Sequence, residues 1–584
     1  PGQAVQFTDT STGSPSTWQW SFGDGGTSTS RNPVHSFAAT GPYTVSLLVG
    51  NGSSTNSTSQ TLTVAPASAI IPTDRRIDWS YSGVPGGIPN RTTIYTTLSP
   101  GATSTQINTA IGGCPSGQVV YLSAGTYNIS GTINIGSKNG VTLRGAGAGQ
   151  TIINSSASGK VVSTSQTGFT GDMTISSGYT KGSTAIVMSS TPTNFAVGRL
   201  IRIYENDDPS LIFTSAGGGG QHFATVHRIT AKAGNTLSLE PPLPYTLTAG
   251  LSPMAECTSA AAPTLCGIEN LTINSTAGAN DIVDLYFADR CWLKGVELSG
   301  AGNSFVFVYG SLQCEVNRCY MHSARGTPNN SDGFGVYLYE SSTYCLTVDS
   351  VFTTMFCGIL YTASSCNAAL YNYTWNMTAY NLTWTLAGIN PNHGAHGMMN
   401  LFEGNVTEQF QNDGYHGSGS HNTLFRNWIN GLHPTNSANR KMVDLCRWSY
   451  YHNTVGNVLG APGWTPTAYE MTGEPDYTAQ PCIYRLGYPN MGGNGLGAGY
   501  PDAKVKATLL RHGNYDFFNR TTVWDPAIAD HVIPASLIYS SKPSYFGSLQ
   551  WPPIGPDVPG YVTDIPAKAR WNAYQASGNT IDLF

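Results

Sequence analysis

Between residues 268 and 429 one short pattern keeps returning, and it restricts the chain to very few folds. Arg290-Cys291-Trp292-Leu293-Lys294-Gly295-Val296 aligns with Gln313-Cys314-Glu315-Val316-Asn317-Arg318-Cys319 and with Tyr344-Cys345-Leu346-Thr347-Val348. Ser365-Cys366-Asn367-Ala368-Ala369-Leu370 extends the column, and Ser420-His421-Asn422-Thr423-Leu424-Phe425 extends it with histidine in the cysteine place. A second column stands five residues earlier: Tyr286, Tyr309 and Tyr361, then His416, with Tyr339 one place off in a coil holding one extra residue. A period of roughly 20–30 residues built from short β segments marks a solenoid, whose coils bury their apolar faces only by stacking on one another. The pattern predicts an all-β chain built on a right-handed parallel β-helix.

Composition sharpens this. Charged residues make up 10% of the chain, with 67 Gly and 31 Tyr, and the net charge is −5. Ordinary globular proteins carry about 25% charge. Asn, Ser and Thr stand in for it and suit the turns between short strands. The negative balance gives no basic footprint for nucleic acid, and no apolar run is long enough for a membrane span. The eleven cysteines form no metal-type pair. Cys291, Cys314, Cys345 and Cys366 predict a buried thiol stack. Cys257/Cys266, Cys357/Cys366 and Cys446/Cys482 are candidate disulfides. Asn372, Asn376 and Asn381 head a run of sequons, which would carry glycan in a secreted protein.

Residues 1–64 alternate apolar and polar with turns between, as in a small antiparallel sandwich. Trp18-Gln19-Trp20-Ser21-Phe22-Gly23-Asp24-Gly25, Asn32-Pro33-Val34-His35-Ser36-Phe37 and Gly41-Pro42-Tyr43-Thr44-Val45 closely resemble the PKD family. The resemblance implies an extracellular Ig-like module of the kind that accompanies polysaccharide-acting enzymes and surface proteins. Such domains usually carry one more strand ahead of the first one here, so an open edge is expected, which invites pairing with another subunit. Residues 65–73 read as a linker, and Ser104-Thr105-Gln106-Ile107-Asn108-Thr109-Ala110-Ile111 as a short helix capping the β-helix. Gln118-Val119-Val120-Tyr121-Leu122-Ser123-Ala124-Gly125-Thr126-Tyr127 and Val141-Thr142-Leu143-Arg144-Gly145-Ala146-Gly147 resemble the opening coils of the pectate-lyase-like superfamily, in the subset related to polygalacturonases. That likeness speaks for fold; unrelated chemistries share the scaffold. The β-helix is expected over 74–460. A small β subdomain is expected at about 174–247, where the rhythm stops around the four-glycine run 217–220. A Pro/Gly-rich extension, 461–584, is expected to pack back on the helix.

Candidate chemistry gathers in 390–447, which holds His393, His396, Glu403, Asp413, His416, His421, Arg426, His433, Arg440, Asp444 and Arg447. A lyase needs a base for the C5 proton of a uronic acid and positive charge for the enolate. His416 or Arg426 would be that base, with Arg440 or Arg447 on the carboxylate. A hydrolase needs two carboxyls across the glycosidic bond, and Glu403 and Asp413 are the candidate pair. Against both, His416 and His421 merely continue the tyrosine and cysteine columns, and Glu403 suits a corner where it binds backbone amides. Cofactors stay open: Asp413, His416 and His421 are chemically suited to a divalent metal, but no spacing is diagnostic. Asn330-Ser331-Asp332-Gly333 resembles a polygalacturonase element, yet the next coil reads Met355-Phe356-Cys357-Gly358 and lacks the partner acids. The tyrosine column, Tyr286, Tyr309 and Tyr361, faces either outward as a ladder for sugar rings or inward as core. The small and apolar residues beside each tyrosine favour inward.

Two functions remain on this ground. The first is a secreted protein that binds a polysaccharide and cleaves it as lyase or hydrolase. The second is a non-catalytic extracellular matrix, sheath or filament subunit, a homo-oligomer joined through its sandwich.

Overall fold

A computed structural model describes residues 4–37, 41–64, 70–164, 168–214, 220–325, 333–378, 387–434, 440–464, 466–471, 481–488 and 501–578. The chain divides into two compact units, Pro1–Thr73 and Asp74–Phe584. In the first, an antiparallel sheet runs in the order Thr27–Ser28, Thr17–Ser21, Gly41–Gly50, Thr55–Val64, and Ala4–Gln6 pairs with Val34–Ser36. Alternation turns Trp20, Phe22, Val45 and Leu47 inward, where they pack with Phe37.

The second unit is a parallel β-helix. Eleven described strands form one flat wall, all parallel, from Ile133–Gly136 to Ala468–Met471. A second sheet of twenty-two described strands wraps the other sides. Helix Ser104–Gly113 covers the start, with Thr103 and Gln106 closing a capping box and Ile107 and Ile111 buried. The coils run to Asp516, because Leu510–His512 and Asn514–Asp516 pair in register with Asn453–Val455 and Val458–Leu459. The helix therefore extends well past the expected end at 460. The inserted subdomain is a closed six-stranded antiparallel barrel from Phe169–Ser177 to Met254–Thr258, wider than 174–247; Ile186, Ile201, Ile203 and Leu237 are buried in it, while Leu200 and Val226 pack with Leu312 of the β-helix.

Strand register corrects both columns by one place. Tyr286, Tyr309 and Tyr339 are in register, while Tyr361 lines up with Leu285, Val308 and Leu338. A one-residue step in a strand reverses the face. Tyr361 is accordingly fully buried, and the other three are half-buried on the outside. Their rings stack on one another at 5.2 and 5.7 Å. The inner faces of the stack are thus taken by neighbouring rings, while Lys160 Nζ lies 4.0 Å from the Tyr286 ring and Tyr337 stands edge-on to Tyr339.

The cysteine column is Cys266, Cys291, Cys314 and Cys345, and it passes to Asn367, Asn400 and Asn422. Cys366 and His421 stand one residue earlier, at the corner, with Arg290, Gln313, Tyr344 and Met399. All six corner residues have φ between 51° and 67°, a region non-glycine residues adopt only when the surroundings hold them there. The hold comes from the inward residue that follows. Cys314 Sγ points at Ala288 O of the preceding coil. Asn367 Nδ2 donates to Ser342 O at 2.9 Å, while its backbone N–H donates to Asn400 Oδ1 at 2.9 Å. A second ladder, Asn372, Asn405, Asn427, Asn457 and Asn514, holds the next corner in the same way. Asn372 is fully buried in it and unavailable to glycan. Asn376 is half-buried and donates to Thr354 Oγ1. Asn381 lies outside the described residues.

All eleven cysteines are buried and outside any disulfide. The three candidate disulfides do not form; Cys446, for example, pairs with Tyr488 and not with Cys482.

Candidate functional site

Both corners are roofed by chain. Over the first, Trp79 Nε1 donates to Met399 O and Gln313 Nε2 to Tyr81 O. Over the second, residues 530–576 run back along the corner. Arg570 pairs with Asp349 and Trp551 Nε1 donates to Tyr371 OH. Arg426 gives its guanidinium to Asp557 and to the carbonyls of Ile533, Pro534 and Ile554. Glu403 accepts from Tyr371 OH and Leu537 N. Two of the sequence candidates, Glu403 and Arg426, are thus buried under the tail and satisfied by it.

The flat wall keeps an opening. Where it meets the barrel there is a cleft of about 680 Å³, lined on the helix side by Tyr337, Tyr339, Glu340, His393 and His416 and on the barrel side by Arg202, Gln221 and His222. The other candidates, Asp413 and His416, belong here, joined by His393. The Asp413 carboxylate, 3% exposed, accepts from His393 Nδ1 at 2.9 Å, Asn390 Nδ2 at 2.5 Å and Tyr415 N at 2.9 Å. An ionised carboxylate only accepts, so His393 carries its proton on Nδ1 and turns Nε2 to the cleft. The His416 ring stands edge-on to His393 at 4.9 Å.

These environments push the two imidazoles apart. Burial opposes charge on His393, but the Asp413 carboxylate outweighs it and its pKa lies above the usual imidazole value. Burial and then the charge of His393 hold His416 below that value. Burial likewise pushes Asp413 up, and His393 more than reverses this. Tyr337 is raised by burial. Glu340 is exposed and accepts from Tyr309 OH at 2.7 Å.

The remaining candidates lie elsewhere. Tyr286 and Tyr309 continue the outer ladder away from the cleft, and Tyr361 is core. Arg440 is buried beside Glu408; Arg447 bonds Tyr488 O through its backbone N–H, and neither lines the cleft. His421 stacks on Tyr451 and meets Ser420 Oγ. It does not join Asp413 and His416, and among the described residues no three His, Cys, Asp or Glu side chains converge to hold a metal. Asp332 lies outside the described residues. Sequence reasoning passed over Tyr337, Glu340, Arg202 and His222. It named His393 without choosing it, although Asp413 stands a coil away.

Residues 2–66 match the PKD domain family, and residues 101–210 match the family described as rhamnogalacturonase A/epimerase, pectate lyase-like. Among curated proteins nothing matches. Similar solved structures include the tailspike protein gp49 of Pseudomonas phage LKA1, at 15% identity over 60% of this chain and 56% of that one, TM-score 0.42. The Pseudomonas phage phi297 tailspike gp61 shares 11% identity over 65% and 63%, TM-score 0.46. The Gp54 tailspike of Acinetobacter baumannii bacteriophage AP22, solved with capsular saccharide, shares 11% over 67% and 65%, TM-score 0.40. The chain thus spans somewhat over half the length of these tailspikes.

Proposed function

We propose that the protein is an extracellular, carbohydrate-active β-helix protein that cleaves an acidic polysaccharide by β-elimination in the cleft. The observation that supports this is the geometry of the cleft, where the His393 and His416 rings stand edge-on at 4.9 Å with Asp413 behind His393, in surroundings that push the two imidazole pKa values in opposite directions. His416, neutral, takes the C5 proton of a uronate. The electrons form the double bond to C4, the C4–O bond breaks, and protonated His393 gives its proton to the departing oxygen. A hydrolase pair fits less well, because Asp413 is enclosed by its three donors and leaves Glu340 as the open carboxylate of the helix wall. The pectate-lyase-like match over 101–210 is in keeping with a saccharide substrate.

The test is incubation of the full chain with polygalacturonate, alginate and glucuronate-containing polymers, following ultraviolet absorbance of unsaturated ends beside reducing ends. Both signals rising together supports elimination. Reducing ends alone would assign hydrolysis, and neither signal on any polymer would sink the enzyme reading.

The sandwich favours a second reading, a structural subunit. Strand Thr55–Val64 forms the edge of its sheet, ten residues long without charge or proline, and such an edge pairs readily. If it joins copies, Thr58→Lys will abolish self-association seen by light scattering; a monomeric wild type discards this reading.

A further inference from the structure

We propose that the inserted barrel supplies a carboxylate-binding subsite, with Arg202 and His222 gripping the acid group of the sugar whose bond is broken. The inference rests on the cleft being the reacting site and adds what selects the substrate. Arg202 is the one Lys or Arg among the described residues lining the cleft, so an acidic sugar meets permanent positive charge only on the barrel wall. Its guanidinium is held from three directions: Nε donates to Ser341 Oγ at 2.8 Å, Nη1 to Glu256 Oε1 at 2.6 Å and Nη2 to Gln221 O at 2.8 Å. A guanidinium carries five N–H groups, so two remain, on a group that Tyr204 also supports at 4.8 Å. His222 is fixed through Nδ1, 2.7 Å from Asp207 Oδ2. Asp207 is in turn bound by the backbone N–H groups of Gly220 and His222, which leaves His222 Nε2 for a ligand; because Nδ1 already donates to Asp207, it is the imidazolium form that donates from Nε2 to a carboxylate.

The barrel wall is also tied to the helix wall beside the base. Thr214 forms an antiparallel bridge with Gly417, the residue after His416. Phe213 and Ser418 exchange two hydrogen bonds of 2.8 Å, Phe213 N to Ser418 Oγ and Ser418 N to Phe213 O. Gly417 has no room for a side chain, since a Cβ would lie 2.6 Å from Ala395 Cβ and 2.8 Å from Phe213 O. The cation and the base therefore sit in fixed register. Such preorganisation is what binding energy at a reacting centre requires.

The experiment is calorimetric titration of the full chain with polygalacturonate, alginate and hyaluronan, each beside its methyl-esterified form. His416→Ala serves as the non-cleaving background. The acid form of at least one polymer is expected to bind about tenfold or more tighter than its ester, a preference of roughly 1.4 kcal/mol. In Arg202→Gln that ratio should fall to about one, with His222→Asn intermediate, while Arg202→Lys keeps part of it and shows that the barrel still folds. Equal binding of acid and ester, no binding of any polymer, or a ratio unchanged in Arg202→Gln overturns the subsite. Arg202-dependent binding without elimination by the wild type would leave the subsite standing and remove the lyase. Elimination indifferent to Arg202 would do the reverse.

Discussion

Glu403, Asp413, His416 and Arg426 come from one short stretch of chain, yet they fall on two different sides of the coil. On the tail side, Glu403 and Arg426 have their hydrogen-bonding capacity filled by Tyr371, Leu537, Asp557 and three carbonyls. On the flat wall, His393 is held at one nitrogen by Asp413 and keeps the other toward a cleft. The same residue types are cement on one side and candidate reagents on the other. What separates them is whether a later part of the chain arrives to cover them.

The largest effect should come from breaking that contrast at its centre. His416→Ala is expected to lower kcat about 10²–10⁴-fold, the span of a general base, while Glu403→Gln, which keeps one acceptor oxygen for Leu537 N and loses the one that Tyr371 OH uses, leaves kcat unchanged. Equal losses in the two would dissolve the distinction. Asn405→Ala, on the tail-side ladder, strands the buried Asn372 N–H and the Ala369 carbonyl. Denaturant unfolding should show a loss of about 2–5 kcal/mol.

Arg426→Ala removes one charged anchor of the tail, beside the Arg570–Asp349 pair, worth roughly 1.5–3 kcal/mol for bonds to a charged group. Limited proteolysis should then cut within 530–560 faster than in the wild type, with turnover intact. The smallest change is in pH. A neutral base held below and a protonated acid held above the ordinary imidazole value, about 6.5, give a kcat/KM profile that rises as His416 deprotonates and falls only as His393 does. Asp413→Asn removes the carboxylate that raises His393, and its falling limb should move to lower pH. An unmoved limb would show that His393 is not the acid.

Much of the fold was legible because a solenoid writes its period into the chain. The repeated Cys and Tyr blocks, the sandwich motif and the interruption after residue 174 each have a local cause. The candidate site was half legible. Asp413 and His416 were named because polar side chains crowd that segment. Arg202 and His222 were not, since they lie about 200 residues earlier in a subdomain whose own pattern speaks only of strands.

By itself the sequence determined the stacking of coils, since backbone pairing and apolar burial repeat at the same interval wherever a coil begins. Only the tertiary structure decided register. At each corner a left-handed residue is followed at once by an inward one, so Cys366 and His421 passed for members of a stack to which Asn367 and Asn422 belong. A single step along a strand turned Tyr361 into core and Tyr339 toward the cleft. Coil length varies, and a period of two admits no averaging: one extra residue changes sides. Exposure was decided the same way, because whether a charged corner meets water or a returning tail depends on contacts between residues more than a hundred positions apart.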